Sequence, residues 1–325
     1  MSSPTKVLRY EVTSRPVEFV FNAFVTLLVV LLLTLGSLLL APRVMWLLGE
    51  TGTNVLSRVL GVLLAVQFVI DGLQSSLAQE TDILTSMSGA PIVIVGGATW
   101  WPGSYRNLAS LLQEISGSEV HIAPLTPLDW ALGYFRGFGQ LVFEVASTVD
   151  RALLESEAKK AVLVGHSAGG LACRVYIGGD PPYGGRRYSG HRRVESLITL
   201  GTPHTVADKQ RLAPITRVNE LFPGALHAGA GVRYVSVAGS VTDGASSPRA
   251  RKRYERFVED GRVAGDGVVP VDAALLPGSE SLIVDGIHHN GRLGRWYGSD
   301  TVTVGRWWPQ ELRAGGSLVG DTRAQ

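Results

Sequence analysis

The stretch "VLVGHSAGG" at residues 162–170 decides the fold. Apolar β-formers run into Gly165-His166-Ser167-Ala168-Gly169, and a helical pattern, "AGGLACRVYI", follows at 168–177. A strand that turns straight into a helix leaves little room for side chains beside the turn, and glycines stand on both sides of the serine. A serine at such an apex is held in a strained conformation, with its hydroxyl exposed at the C-terminal edge of a sheet. The helix behind it presents free N–H groups and a positive dipole end, useful to an oxyanion. The alternative is a glycine-rich turn carrying an ordinary serine.

Working outward, six short apolar runs read as strands, the first of them buried: "PIVIVGG" (91–97), "EVHIAPL" (119–125), "AVLVG" (161–165), "VESLITLG" (194–201), "VRYVSVAG" (232–239) and "SLIVDG" (281–286). Helical spacing marks "SYRNLASLLQEI" (104–115), with Ser104 as its N-cap, and "GQLVFEVASTVDRALLESE" (139–157). "VGRWWPQELR" (304–313) is expected to close the domain as a helix. This alternation predicts an α/β fold, its sheet mostly parallel with helices on both faces. Two inserts interrupt it. Residues 178–193, rich in Gly, Pro and Arg, read as a surface loop, and residues 202–231 read as an excursion able to cover a pocket.

The chain has 325 residues and a formal net charge of +2, which argues against nucleic acid as a partner. A single cysteine, Cys173, rules out an internal disulfide. The apolar excess lies at the front. "FVFNAFVTLLVVLLLTLGSLLLA" (19–41) carries no charge, and about 20 apolar residues cross a bilayer. A second apolar run reads as a span over about 55–72 or, being short, as an interfacial helix. The expected organisation is a flank at 1–18, a membrane anchor at 19–75, a linker at 76–90, a catalytic-type domain at 91–315 and a tail at 316–325. Lys6, Arg9 and Arg15 precede the first span, and Arg43 and Arg58 lie between the two. The bias is small and leans to an N-terminus inside, so two spans return the domain to that side, cytoplasmic or stromal. Within 47–73, Gly49-Glu50-Thr51-Gly52, Asn54-Val55-Leu56, Arg58, Gly61, Gln67-Phe68 and Asp71-Gly72 resemble the last segment of the MarC family of multi-span membrane proteins. The other spans of that family are missing here, so the resemblance implies an anchor rather than a transporter.

A serine hydroxyl is a weak nucleophile and needs a base, and the base needs an orienting acid. In this fold the chain order is serine, acid, histidine. Asp266 sits downstream in "GDGVVP" (265–270), with Asp243 and Asp285 as alternatives. "DGIHHN" (285–290) offers two bases, His288 and His289, just past the last strand. The oxyanion hole pairs the N–H after the nucleophile, Ala168, with one from the loop after an earlier strand. That loop is "GGATWW" (96–101), and Ala98 is the expected donor. Trp100, Trp101, His166, Thr202 and His204 are candidate pocket residues. The histidines show no metal-ligand spacing, so neither metal nor cofactor is expected. "RARKRYER" (249–256) reads as a solvated helix face or a contact for anionic lipid headgroups.

Gly165–Gly170, Gly201–His204, "VNELFPGA" (218–225), "GDGVVP" and "WYGSD" (296–300) resemble the α/β-hydrolase superfamily, in detail the lipase-like hydrolases of plants, algae and cyanobacteria. The resemblance spans about 90–315. It implies a compact hydrolase fold and ester hydrolysis without a cofactor by Ser167, Asp266 and His289. His289 is favoured over His288 because Gly286 stands three residues before it, as in a Gly-x-x-His pattern. Gly96 stands where many relatives carry histidine. The expected substrate is an acyl ester or lipid at a membrane; protein partners are not specified. Two other readings stay open: an inactive hydrolase-fold binding module, and a thioesterase or acyltransferase using the same residues.

Overall fold

The computed structural model describes residues 89–207 and 213–314. The chain divides into two units between Thr81 and Asp82, and the anchor expected at 19–75 lies outside the described residues. Among those described, no helix is long and apolar enough to cross a membrane.

Six parallel strands form the sheet: β1 (Ile92–Val95), β2 (Val120–Ile122), β3 (Ala161–His166), β4 (Val194–Leu200), β5 (Arg233–Ser240) and β8 (Glu280–Asp285). Their order is β2-β1-β3-β4-β5-β8. A second, two-stranded antiparallel sheet pairs β6 (Thr242–Asp243) with β7 (Ala264–Gly265). Successive side chains of a strand face opposite ways, and the core splits accordingly. Val93, Val95, Leu163 and Leu197 join one apolar cluster. Their neighbours Ile92, Ile94, Val162, Val164 and Ile198 join the other. Strands buried on both faces read as continuous apolar runs, which is why these were legible.

The helices cover both faces. α1 (Arg106–Ser116) packs Leu108 and Leu112 into the second cluster, with Val304 of α8 (Thr301–Gly305) and Trp307. The first cluster takes Trp130 of α2 (Pro127–Arg136), Leu141 and Val145 of α3 (Gly139–Ser156), Leu171 and Val175 of α4 (Ala168–Gly178), and Ile215 and Val218 of α5 (Ala213–Leu221). Two shorter helices, α6 (Pro248–Tyr254) and α7 (Val271–Ala274), flank β7.

Three expectations are corrected. Ser104 is not an N-cap: it lies in a 3-10 turn, Pro102–Tyr105, and α1 starts from Tyr105 without a side-chain cap. Residues 304–313 are not one helix. α8 ends at Gly305, and only a 3-10 turn, Gln310–Leu312, follows Pro309, which has no N–H to continue a helix. The 178–193 insert is not wholly a surface loop, because Tyr183 and Tyr188 are buried in the first cluster. α2 was not anticipated, although Thr126-Pro127-Leu128-Asp129 starts it with a capping box: Asp129 accepts from the Thr126 N–H at 2.8 Å.

Strand order reverses between β1 and β3. In parallel sheets ligands bind outside the carboxyl ends of the strands at such a switch point. The loops after β1 and β3, carrying Gly96–Ala98 and Ser167, flank that crevice.

Candidate active site

The turn at Ser167 is as tight as its sequence demands. Its backbone sits at φ 52°, ψ −130°, a strained region for a residue with a side chain, worth about 1–3 kcal/mol. The Ser167 N–H is held by the Leu200 carbonyl at 2.9 Å. A Cβ on Gly165 would meet the Gly170 Cα at 2.5 Å, and one on Gly169 would meet the Val95 carbonyl oxygen at 2.1 Å. Both contacts are with backbone, so only glycine lets α4 pack this closely on β1 and β3.

Three chemically distinct side chains meet at this point. His289 Nε2 lies 3.0 Å from Ser167 Oγ. His289 Nδ1 lies 2.7 Å from Asp266 Oδ2. The carboxylate accepts from Nδ1–H, which leaves Nε2 free to accept from the serine hydroxyl. Asp266 is buried and takes two donors at each oxygen: the Val268 and Val269 N–H groups on Oδ1 at 2.9 and 2.8 Å, and His289 with the Tyr297 hydroxyl, at 3.1 Å, on Oδ2. Tyr297 is itself fixed by the Gly239 N–H at 2.8 Å. Burial first, and the neighbouring Asp266 charge second, push the Tyr297 hydroxyl well above its usual pKa, so it stays a donor. The His289 N–H donates to the Asp266 carbonyl at 2.9 Å, tying the two loops together.

The alternatives lie elsewhere. His288 pairs its backbone N–H with the Arg295 carbonyl at 2.7 Å, and its ring packs over Gly294. Asp243 and Asp285 are exposed; Asp243 caps the Ala245 N–H at 2.7 Å. The Ala168 N–H belongs to the first turn of α4, where no intrahelical acceptor exists. Ala98 and Ala168 both line one cavity with Ser167. Gly97 cannot be the second oxyanion donor, because its N–H is bonded to the Tyr105 hydroxyl at 2.8 Å.

That cavity, about 320 Å³, is bounded by Pro127, Trp130, Ala131, Tyr134 and Phe138 on one side and Leu171, Pro203, Pro214 and Ile215 on the other. Among the described residues, none that lines it is charged. The residues that line this cavity do not include the pocket candidates Trp100, Trp101, His166, Thr202 and His204. Trp100 stacks behind the site, its ring centroid 5.0 Å from that of Trp296 and 5.5 Å from that of Tyr105. Trp101 lies on the same loop and does not reach the cavity. Thr202 is fully buried and packs against Gly170. His204 is a strut: its ring lies 3.1 Å from Thr199 Oγ1 and 3.3 Å from the buried Arg174 guanidinium. Burial, and next the Arg174 charge, hold His204 neutral, well below its usual pKa. α2, which supplies much of the wall, went unread in the sequence; its signal was the capping box.

The basic run 249–256 is divided in use. Arg253 donates to the Gly267 carbonyl at 2.9 Å, and the buried Tyr254 hydroxyl accepts from the Gly267 N–H at 2.9 Å. Both brace the turn that carries Asp266. Arg249, Lys252 and Arg256 are exposed. Among the described residues, no three His, Cys, Asp or Glu side chains converge where a metal ion could sit.

Fold and turn together give an α/β architecture: a mostly parallel sheet flanked by helices, with a serine at the strand–helix turn. Residues 3–77 match the MarC family, described as MarC family integral membrane protein, in line with the resemblance read from 47–73. No curated protein matches the chain. Among solved structures, a novel pyrethroid hydrolase is 24% identical over 36% of this chain and 41% of its own, with a TM-score of 0.28. This chain thus spans less than half of that enzyme. A gene product of Listeria innocua is 13% identical over 67% of this chain and 92% of its own, TM-score 0.41. The esterase domain of a Rhodothermus marinus protein is 13% identical over 66% and 86%, TM-score 0.38.

Proposed function

We propose that this chain is a serine hydrolase of carboxylic esters with apolar acyl groups, attached to a membrane through its first 75 or so residues. The observation that carries the reading is the continuous line from Ser167 Oγ through His289 to Asp266, at 3.0 and 2.7 Å. In the first step His289 Nε2 takes the Ser167 proton as Oγ attacks the ester carbonyl. The oxyanion is met by the Ala98 and Ala168 N–H groups. Collapse breaks the C–O bond, His289 returns the proton to the leaving alcohol, and an acyl-serine remains. Water, deprotonated by the same histidine, then releases the acid and regenerates Ser167. Asp266 holds His289 in the tautomer that can accept and stabilises the imidazolium that forms.

The cavity supports an apolar acyl partner. At about 320 Å³ with aromatic and aliphatic walls, it lies at the small end of the ~300–1,000 Å³ typical of ligand sites. A charged acyl group would lose its hydration there without compensation. The match of residues 3–77 to an integral membrane family supports a lipid setting, on the side of the N-terminus. A thioesterase or acyltransferase would use the same residues and differ only in leaving group or acceptor. The test is labelling with a fluorophosphonate together with p-nitrophenyl ester turnover. Stoichiometric labelling at Ser167, with labelling and turnover both lost in Ser167→Ala, is expected. Turnover that survives Ser167→Ala overturns the reading, and a folded chain that neither labels nor turns over is the binding module instead.

A further inference from the structure

We propose that Tyr105 and His166 are positioning residues that tie the base loop, the nucleophile turn and the oxyanion loop into one unit; this deepens, and rests on, the hydrolase reading above. His166 Nε2 lies 2.9 Å from the His289 carbonyl oxygen, and His166 Nδ1 lies 2.8 Å from the Tyr105 hydroxyl. A carbonyl only accepts, so Nε2 carries the ring proton. Nδ1 of the neutral ring is then an acceptor, and Tyr105 must donate to it. The Tyr105 oxygen in turn accepts the Gly97 N–H at 2.8 Å. Hydrogen bonds therefore run in one sense from Gly97 through Tyr105 and His166 to His289, each polarising the next.

The chain of bonds joins distant pieces of sequence at the points where the chemistry needs placement. Gly97 opens the loop that carries Ala98. His166 is the residue before Ser167. The His289 carbonyl belongs to the base itself. Burial leaves each member no substitute partner, since Tyr105 is fully buried and His166 is 2% exposed. His166 keeps its tautomer because burial first, and the adjacent His289 second, lower its pKa to about 3. Packing then locks both rings. Trp100 and Trp296 surround them, with centroids 5.7 Å from His166. The loop passes Tyr105 and Ser167 so closely that a Cβ on Gly96 would lie 2.5 Å from the Tyr105 ring, and one on Gly97 2.7 Å from Ser167 Cβ. Tyr105 thus occupies the space that a side chain at 96 would need.

Neither residue touches the reacting atoms, so their effect is on geometry and is read as rate. The full-length protein is compared with Tyr105→Phe, His166→Gln, His166→Leu and Ser167→Ala for kcat and KM on a p-nitrophenyl ester, the rate of fluorophosphonate labelling, and the thermal midpoint. Tyr105→Phe keeps the ring and removes one buried hydrogen bond, and kcat is expected to fall about tenfold at nearly constant KM. His166→Leu cuts the tie to the base as well and is expected to fall about 100-fold. His166→Gln can still donate to the His289 carbonyl and should fall between. Labelling should slow in the same order. Wild-type kcat in Tyr105→Phe and His166→Gln, with only the thermal midpoint lowered, overturns the proposal and leaves a purely structural tie. If His166→Leu does not fold, the two near-isosteric variants decide. Turnover that persists in Ser167→Ala is a different failure: it overturns the hydrolase reading itself.

Discussion

Replacing Asp266 with Asn keeps its volume and takes away one acceptor. Four donors now converge on the carboxylate: two backbone N–H groups on Oδ1, and His289 with Tyr297 on Oδ2. An amide offers one oxygen, so one pair must meet an NH2 group. Val268 and Val269 cannot turn their N–H groups away. The amide oxygen will therefore stay with them and the NH2 will face His289 Nδ1. His289 avoids a donor–donor clash only by moving its proton to Nε2, and Nε2–H cannot accept from Ser167. The expected loss is about 10,000-fold in kcat, the size seen when the orienting carboxylate of such a group is replaced by its amide. That is about 5.5 kcal/mol of transition-state stabilisation. KM should change little. Two charge-assisted bonds of about 1.5–3 kcal/mol each are weakened or lost, so stability should fall by at most about 3–6 kcal/mol. The assay is steady-state p-nitrophenyl ester hydrolysis on protein whose circular dichroism matches wild type, with urea unfolding alongside. A folded Asp266→Asn enzyme within tenfold of wild-type kcat would refute the tautomer argument.

Gly169→Ala drives a Cβ to 2.1 Å from the Val95 carbonyl oxygen and should cost about 3 kcal/mol or more; a thermal midpoint within a few degrees of wild type would contradict that packing. His166 makes a pH prediction: its folded pKa, about 3, lies below the ordinary 6.5, so between these values the unfolded chain binds a proton that the folded one does not. Its contribution is complete above the unfolded value and is lost as pH falls, by about 2 kcal/mol at pH 5; the drop in thermal midpoint from pH 7 to pH 5 should shrink in His166→Gln, and an unchanged drop counts against it. Ala131→Trp, at an exposed position in the cavity wall, should penalise long acyl chains, with kcat/KM falling about fourfold per excluded methylene, and equal effects on short and long p-nitrophenyl esters would remove this cavity as the acyl site. The full chain should stay with membranes through a carbonate wash; release into the supernatant would remove the proposed anchor.

The sequence alone determined whatever is decided within a few residues. Gly165 and Gly169 flank Ser167 because the turn is a local object, and the clash that requires Gly165 is with Gly170, five residues on. The buried parallel strands announced themselves as apolar runs because both of their faces are covered. Asp266 and His289 could be nominated from chain order. Only the Gly-x-x-His resemblance, through Gly286, favoured His289 over His288, since both follow β8 in irregular chain. In the folded chain the His289 N–H reaches the Asp266 carbonyl and the His288 N–H reaches Arg295, contacts that no local pattern encodes. The walls of the cavity beside Ser167 were not legible for the same reason. Trp100 and Trp101 belong to the same loop as Ala98, but that loop leaves β1 so that Trp100 packs against Trp296 and not in the cavity wall. The cavity wall comes instead from α2, whose start signal is local but whose inner face is defined only by what it packs against. Tyr105, His166 and the His289 carbonyl are separated by 61 and 123 residues. Each alone reads as ordinary core, and only the folded sheet, by bringing the ends of β1, β3 and β8 to one edge, turns them into a connected set.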